Sequence, residues 1–208
     1  MKKLIALFVA LMMIFACTAM AEGKTIAPEG GSFDPMKDEG VIAKASFEGE
    51  NVKVAEDGTV TIEMTLFTED VYDLVDINQM APGDTVIVDG EPIVVETVEN
   101  ENGFVRVNGG FENEGATFGA LNDTNGMFAM TYDDDIITRE VCTVTLPVSA
   151  NVAFHDESDL EKDAIDTNTV EDMVAAINAM EFPIFSSFDT EVTIENGVIV
   201  AVNHVFHP

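Results

Sequence analysis

The chain has 208 residues, with 39 Asp and Glu against 9 Lys and Arg and a formal charge of −30. A field of that sign repels nucleic-acid phosphate and anionic lipid headgroups and attracts cations and basic peptides. Two cysteines, no Trp and two Tyr beside 14 Phe argue against a disulfide-stapled scaffold and against a sugar-binding face built on Trp and Tyr.

In chain order, residues 1–21 read as a signal peptide. Lys2 and Lys3 precede an apolar run from Leu4 to Ala16, and Ala19-Met20-Ala21 puts small residues at the −3 and −1 positions of a cut before Glu22. The apolar core is too short to span a bilayer. The expected localisation is secreted, by bacterial-type export. A second processing would make the chain a lipoprotein: Ile14-Phe15-Ala16-Cys17 resembles a bacterial lipobox, and lipidation at Cys17 would anchor the protein at the cell surface. Phe15 is bulky for that pattern, so cleavage after Ala21 is favoured. It leaves 187 residues at a charge of −32, since Lys2 and Lys3 depart and no acid does. That length suits one domain with a hydrophobic core.

Residues 22–40 are dense in Gly, Pro and charge without an apolar period, which predicts a flexible spacer. A single β-rich domain is expected over 41–208. Val41, Ala43, Ala45 and Phe47 alternate with more polar neighbours, and Val60, Ile62, Met64 and Leu66 alternate with Thr59, Thr61, Glu63 and Thr65. Both runs predict half-buried strands.

Asp57-Gly58, Asp89-Gly90, Asn102-Gly103, Asn125-Gly126 and Asn196-Gly197 suit two-residue hairpin turns, which need positive φ at both central positions. Thr85–Val88 and Ile93–Val98 are the clearest predicted arms. Further strands are expected at Phe104–Val107, Met127–Tyr132 and Ile136–Leu146. Cys142, Val144 and Leu146 share one face of the last, so Cys142, the one thiol left in the mature domain, is expected to be buried and inert.

Val170, Met173, Val174, Ile177 and Met180 recur at helical spacing after Thr169, with Asp172 placed as in a capping box and Pro183 as a stop. A helix near 169–181, packed on the sheet, is expected. A terminal hairpin then places Phe188, Val192 and Ile194 inward on one arm and Val198, Val200, Val202, His204 and Phe206 on the other. The expected fold class is therefore mainly β (α+β): an antiparallel meander, sandwich or barrel-like domain with one packed helix and a C-terminal β-hairpin.

Chemistry is harder to place. The connection from His155 to Asp172 is acidic, and Asp156, Asp159, Asp163 and Asp166 are its candidate calcium ligands, since calcium takes six to eight hard oxygens. A solvated acidic loop leading into a helix N-terminus is the favoured alternative. Asn122–Gly126 with Asp133, Asp134 and Asp135 resembles part of a calcium loop, but Leu121 and Tyr132 stand where its end ligands belong. His204 and His207 fall on opposite faces of a strand and cannot act as a metal pair; His204 is expected in the core. Ser186-Ser187 lacks the glycines of a nucleophile elbow.

No catalytic residue, cofactor or nucleic-acid site is therefore expected. The expected function is a non-catalytic binding or surface-interaction module with a cationic or protein partner. The alternatives are a calcium-stabilised extracellular structural protein and a hydrolase whose site is assembled from distant residues.

Overall fold

A computed structural model describes residues 23–29, 33–120, 126–130 and 136–205. The signal-peptide reading, Cys17, Phe206, His207, residues 122–125 and Asp133 to Asp135 lie outside them. In chain order the strands are β1 (Thr25–Ile26), β2 (Val41–Glu48), β3 (Val52–Val54), β4 (Val60–Glu69), β5 (Val71–Asp73), β6 (Thr85–Val88), β7 (Glu91–Val94) and β8 (Val98–Glu101). They continue as β9 (Phe104–Val107), β10 (Ala116–Ala120), β11 (Gly126–Met130), β12 (Thr138–Glu157), β13 (Ile165–Thr167), β14 (Ile184–Phe185), β15 (Thr190–Glu195) and β16 (Val198–Val205). The helices are α1 (Leu74–Asn78) and α2 (Val170–Ala179). The fold is mainly β with one packed helix, as the sequence predicts.

The chain packs as two compact units. The first comprises the described residues up to Glu29 and those of Val71–Ile136; the second comprises those of Gly30–Asp70 and Ile137–Pro208. The first unit contains the sheet β5-β11-β10-β9-β8 and the smaller sheet β1-β6-β7. Tyr72 is fully buried there, its hydroxyl donating to the Ile87 carbonyl at 2.7 Å and its ring edge-on to Phe118. Asp84 ties two segments together by accepting from the backbone N–H groups of Lys24 and Ala81, each at 2.9 Å.

The second unit holds the candidate site. β2, β4 and β12 form an antiparallel meander, and β15 returns to lie beside β2, which is Greek-key order. β16 pairs antiparallel with β15 and parallel with β12, closing a ring of five strands. The result is a small barrel-like arrangement of Greek-key order. Closure depends on β12. Its residues Thr138–Pro147 pair with β4, and Val148 and Ala153–Glu157 with β16, with an irregularity between Val148 and Ala153. Pro147, which lacks an N–H, stands where the partner changes, a position a sheet tolerates.

Ala45, Ile62, Leu66, Leu146, Val152, Phe154, Val192, Ile194 and Ile199 fill the interior, and α2 covers it with Val170, Met173 and Ile177. Thr169 caps α2: its Oγ1 accepts from the Asp172 N–H at 3.2 Å and donates to the Asp172 carboxylate at 2.8 Å. This residue pattern locally favours a helix start before any packing.

Several expectations are corrected. The strand expected to end at Leu146 runs on to Glu157, so the first residues of the acidic connection are strand. The arm expected over Ile93–Val98 is Glu91–Val94, because the Asp89-Gly90 turn sets the register. In the last hairpin a bulge leaves Val200 unpaired between the Ile194–Ile199 and Thr193–Ala201 pairs. The bulge shifts the alternation by one residue, so Ile199 is buried while Val198 and Val200 are only partly so. Phe188, expected inward, is exposed because it lies in the loop before β15. Asp89, Asn102 and Asn196 have positive φ together with the glycine that follows each, as two-residue hairpins require, whereas at Asp57-Gly58 only the glycine does.

Leu66 is fully enclosed between β2 and β12. Leu66→Ala is expected to lower stability by about 2–5 kcal/mol through lost transfer energy and an unfilled cavity. Thr143→Ala, on the wet face of β12, should change it by less than about 0.5 kcal/mol. Urea unfolding of the two variants checks the contrast.

Candidate functional site

The second half of β12 sends alternate side chains to opposite faces, and this separates two acid–histidine pairs adjacent in sequence. His155 faces outward beside β13, where the register sets it across from Asp166. Its Nδ1 lies 2.8 Å from Asp166 Oδ1, and its Nε2 lies 3.6 Å from Glu157 Oε2. The hydrogen bond to Asp166 raises the His155 pKa above the usual histidine value, and Glu157 adds to the rise.

Asp156 faces inward across from His204 on β16. The two side chains are 10 % and 6 % exposed, and Asp156 Oδ1 lies 2.9 Å from His204 Nδ1. That nitrogen makes no directed hydrogen bond, so the contact is one of proximity alone. Asp156 Oδ1 is instead held by the backbone N–H of Ser158 at 3.2 Å and its hydroxyl at 2.7 Å.

On the other side of the imidazole, Nε2 lies 3.6 Å from Asp189 Oδ2. Asp189 Oδ1 accepts from the Ser186 N–H at 2.9 Å and the Thr190 hydroxyl at 2.8 Å. The Phe185 ring packs against the imidazole at a centroid distance of 4.6 Å. His204 is thus a buried core histidine, as its position on the apolar face predicts, set between two carboxylates at one end of the barrel. Ser158 donates to the carboxylate and not to the imidazole, so the group does not have the serine–histidine geometry of an activated nucleophile.

Asp156 also lines a cleft of about 380 Å³ bounded by the end of β12, the β12–β13 loop and the C-terminal end of α2. Asp159, Asp163 and Glu181 add carboxylates, Lys162 the one basic side chain, and Ile165, Ala176, Ala179, Met180 and Phe182 an apolar wall. A broader hollow beside it is lined by Asp166, Thr167, Asn168 and Asp172; it contains no deeply buried charged group and offers less to recognise a ligand. Lys162 Nζ lies 2.6 Å from Asp159 Oδ2. The pairing lowers the Asp159 pKa and raises that of Lys162, to which Glu181 and Asp156 also contribute.

Of the four calcium candidates, Asp156, Asp159 and Asp163 line the cleft, while Asp166 is engaged with His155. Among the described residues no three His, Cys, Asp or Glu are arranged to hold a metal ion. Glu181, Phe182 and Asp189 were not singled out from the sequence, because loop and cross-strand packing alone bring them to this end of the barrel. Cys142 is half-buried on the barrel wall, and its thiol pKa is raised by burial first and then by Asp34 and Glu140.

No protein-family model, curated protein or solved structure matches the chain. Its function must therefore be read from the chemistry of the site.

His155 gives a pH signature with a definite sign. Its folded pKa is raised, so its pairing stabilises the fold below the unfolded value of about 6.5 and ceases to do so as pH rises through the folded value. His155→Gln should cost at most about 0.5 kcal/mol at mildly acid pH, the worth of a solvated pair. The cost should vanish at alkaline pH. Chemical denaturation of both proteins across that range measures the difference.

Proposed function

We propose that the protein is an exported, non-catalytic binding module whose cleft beside Asp156 takes a positively charged ligand with an apolar portion. The observation that carries this reading is the composition of one concavity: four carboxylates, one of them on a nearly buried Asp156, face an apolar wall of Ile165, Ala176, Ala179, Met180 and Phe182. A concave, partly apolar surface with a few convergent polar groups is the usual form of a ligand site. The formal charge of −30 favours a cation as the partner and speeds its encounter. Hydrolase chemistry is less well supported, because the nearest hydroxyl, Ser158, is bonded to a carboxylate at 2.7 Å and not to a base.

Asp156, Asp159 and Asp163 on one cleft also keep a second reading, a weak calcium site that stabilises the fold. Both readings are tested on the chain from Glu22 by two experiments. For the favoured reading, isothermal titration with n-hexylammonium, n-hexanol and hexanoate should give heat with the ammonium alone, weakening as salt rises. Equal binding of hexanol, or none of the three, would contradict it. For the calcium reading, a melting-temperature rise with calcium that magnesium does not reproduce at fixed ionic strength is the expected result.

A further inference from the structure

We propose that residues 23–29 are an exchangeable strand, and that the groove they fill on the first unit also receives the same segment from a second copy of the chain. The groove belongs to a different unit from the acid-lined cleft and does not depend on what that cleft binds. Two independent features support the exchange.

The first is a fit that reads the segment's own sequence. Thr25 and Ile26 form β1 and pair in parallel with Thr85 and Val86 of β6. The Lys24 carbonyl accepts from the Thr85 N–H at 2.9 Å, and the Lys24 N–H donates to Asp84 Oδ1 at 2.9 Å. Further on, the Glu29 N–H donates to the Val71 carbonyl at 2.6 Å. Ile26 is 3 % exposed. Gly23 passes so close to Gly83 that a Cβ there would stand 1.7 Å from the Gly83 carbonyl oxygen, so a side chain at that position would force the backbones apart. Main-chain pairing of this kind gives affinity, and the side chains give selectivity. Here the selective features are a glycine, a buried isoleucine and a lysine whose ammonium lies 3.0 Å from Asp76 Oδ1.

The second is how the segment is attached. Its partners Val71, Asp76, Asp84 and Thr85 all belong to the first unit, whereas the described residues that follow it, 33–70, belong to the second. β1 is two residues long, and Pro28 soon after it has no N–H with which to extend the ladder. One buried side chain and so short a ladder put its release among the low-energy local openings, well below global unfolding. A released segment leaves the edge of β6 with unpaired backbone groups. The same segment from a second copy re-forms every contact, which is why exchange of an identical element costs little. The formal charge of −30 opposes the meeting of two copies, so salt, by screening, favours the exchange.

The Lys24–Asp76 pair serves as the reporter, since both side chains reach solvent. Isotope-labelled and unlabelled copies of the chain from Glu22 are mixed at high concentration and treated with a carbodiimide. The reagent condenses an amine with a carboxylate it touches and itself takes up the water as a urea. Mass spectrometry of the dimer fraction should find Lys24–Asp76 linkages that join a labelled to an unlabelled copy. Raising the salt should increase that fraction by about twofold or more. Ile26→Asp, which places a charge in the apolar seat, should abolish the mixed linkages. Should that variant not fold, a synthetic peptide of residues 22–29 added in excess to the wild-type mixture should suppress them, and the same peptide carrying Ile26→Asp should not.

Lys24–Asp76 linkages confined to single copies at every salt concentration would overturn the exchange and leave the segment fixed in its own molecule. Dimers whose mixed linkages omit Lys24–Asp76 would overturn it as well, because the copies then associate through another surface. Neither result bears on the cationic-ligand reading of the cleft.

Discussion

The second unit depends on one strand having two partners in succession. β12 is long enough, at 20 residues, to complete the meander with β4 and then, beyond Pro147, to pair in parallel with β16. Without the second pairing, β12 and β16 would expose two sheet edges, and the apolar residues between them would face water. With it, the ring closes and no edge remains between those strands. Parallel pairing of this kind joins segments far apart in sequence, so loop-closure entropy opposes it until the rest of the sheet has formed.

The same pairing creates the site. The parallel register places Asp156 across from His204 on the inner face and leaves His155 on the outer one. A buried carboxylate and a buried histidine are costly unless polar neighbours surround them. Here Ser158, Asp189 and Thr190 provide that environment through hydrogen bonds and close approach. The barrel thus has an apolar middle and a polar end, and the polar end opens on the acid-lined cleft.

Much of the fold is legible from local pattern. Strict alternation over Val41–Phe47 and Thr59–Leu66 identifies two barrel strands, the Thr169 cap with the spacing of Met173 and Ile177 identifies α2, and Asn196-Gly197 identifies the last turn. What is not legible lies in non-local pairing. Residues 147–157 begin with proline and end in acids, and nothing local marks them as strand; β16 holds them there. The bulge at Val200 reverses the expected face of its neighbours, and only the register against β15 reveals it. The excursion through residues 71–136 into a separate unit has turn and strand signals like those around it, so composition does not mark its boundaries.

The acidic stretch shows where sequence reading of the site succeeds and where it stops. Residues Asp156, Asp159 and Asp163 do reach one cleft, because a strand end and its following loop curl around the end of α2. Asp166 does not join them, since the β12–β13 register gives it to His155 instead. The partners of His204 come from β12 and from the loop before β15, separated from it in sequence by 48 and 15 positions, which no motif spacing could have indicated.

The central claim is the double pairing of β12, and hydrogen exchange of its backbone amides tests it most directly. Closure predicts slow exchange at alternating amides on both sides of Pro147, in residues 138–146 and again in 153–157, with protection lost together when the unit unfolds. Protection confined to 138–146, with 153–157 exchanging as fast as an exposed loop, would contradict closure and with it the placement of Asp156 against His204.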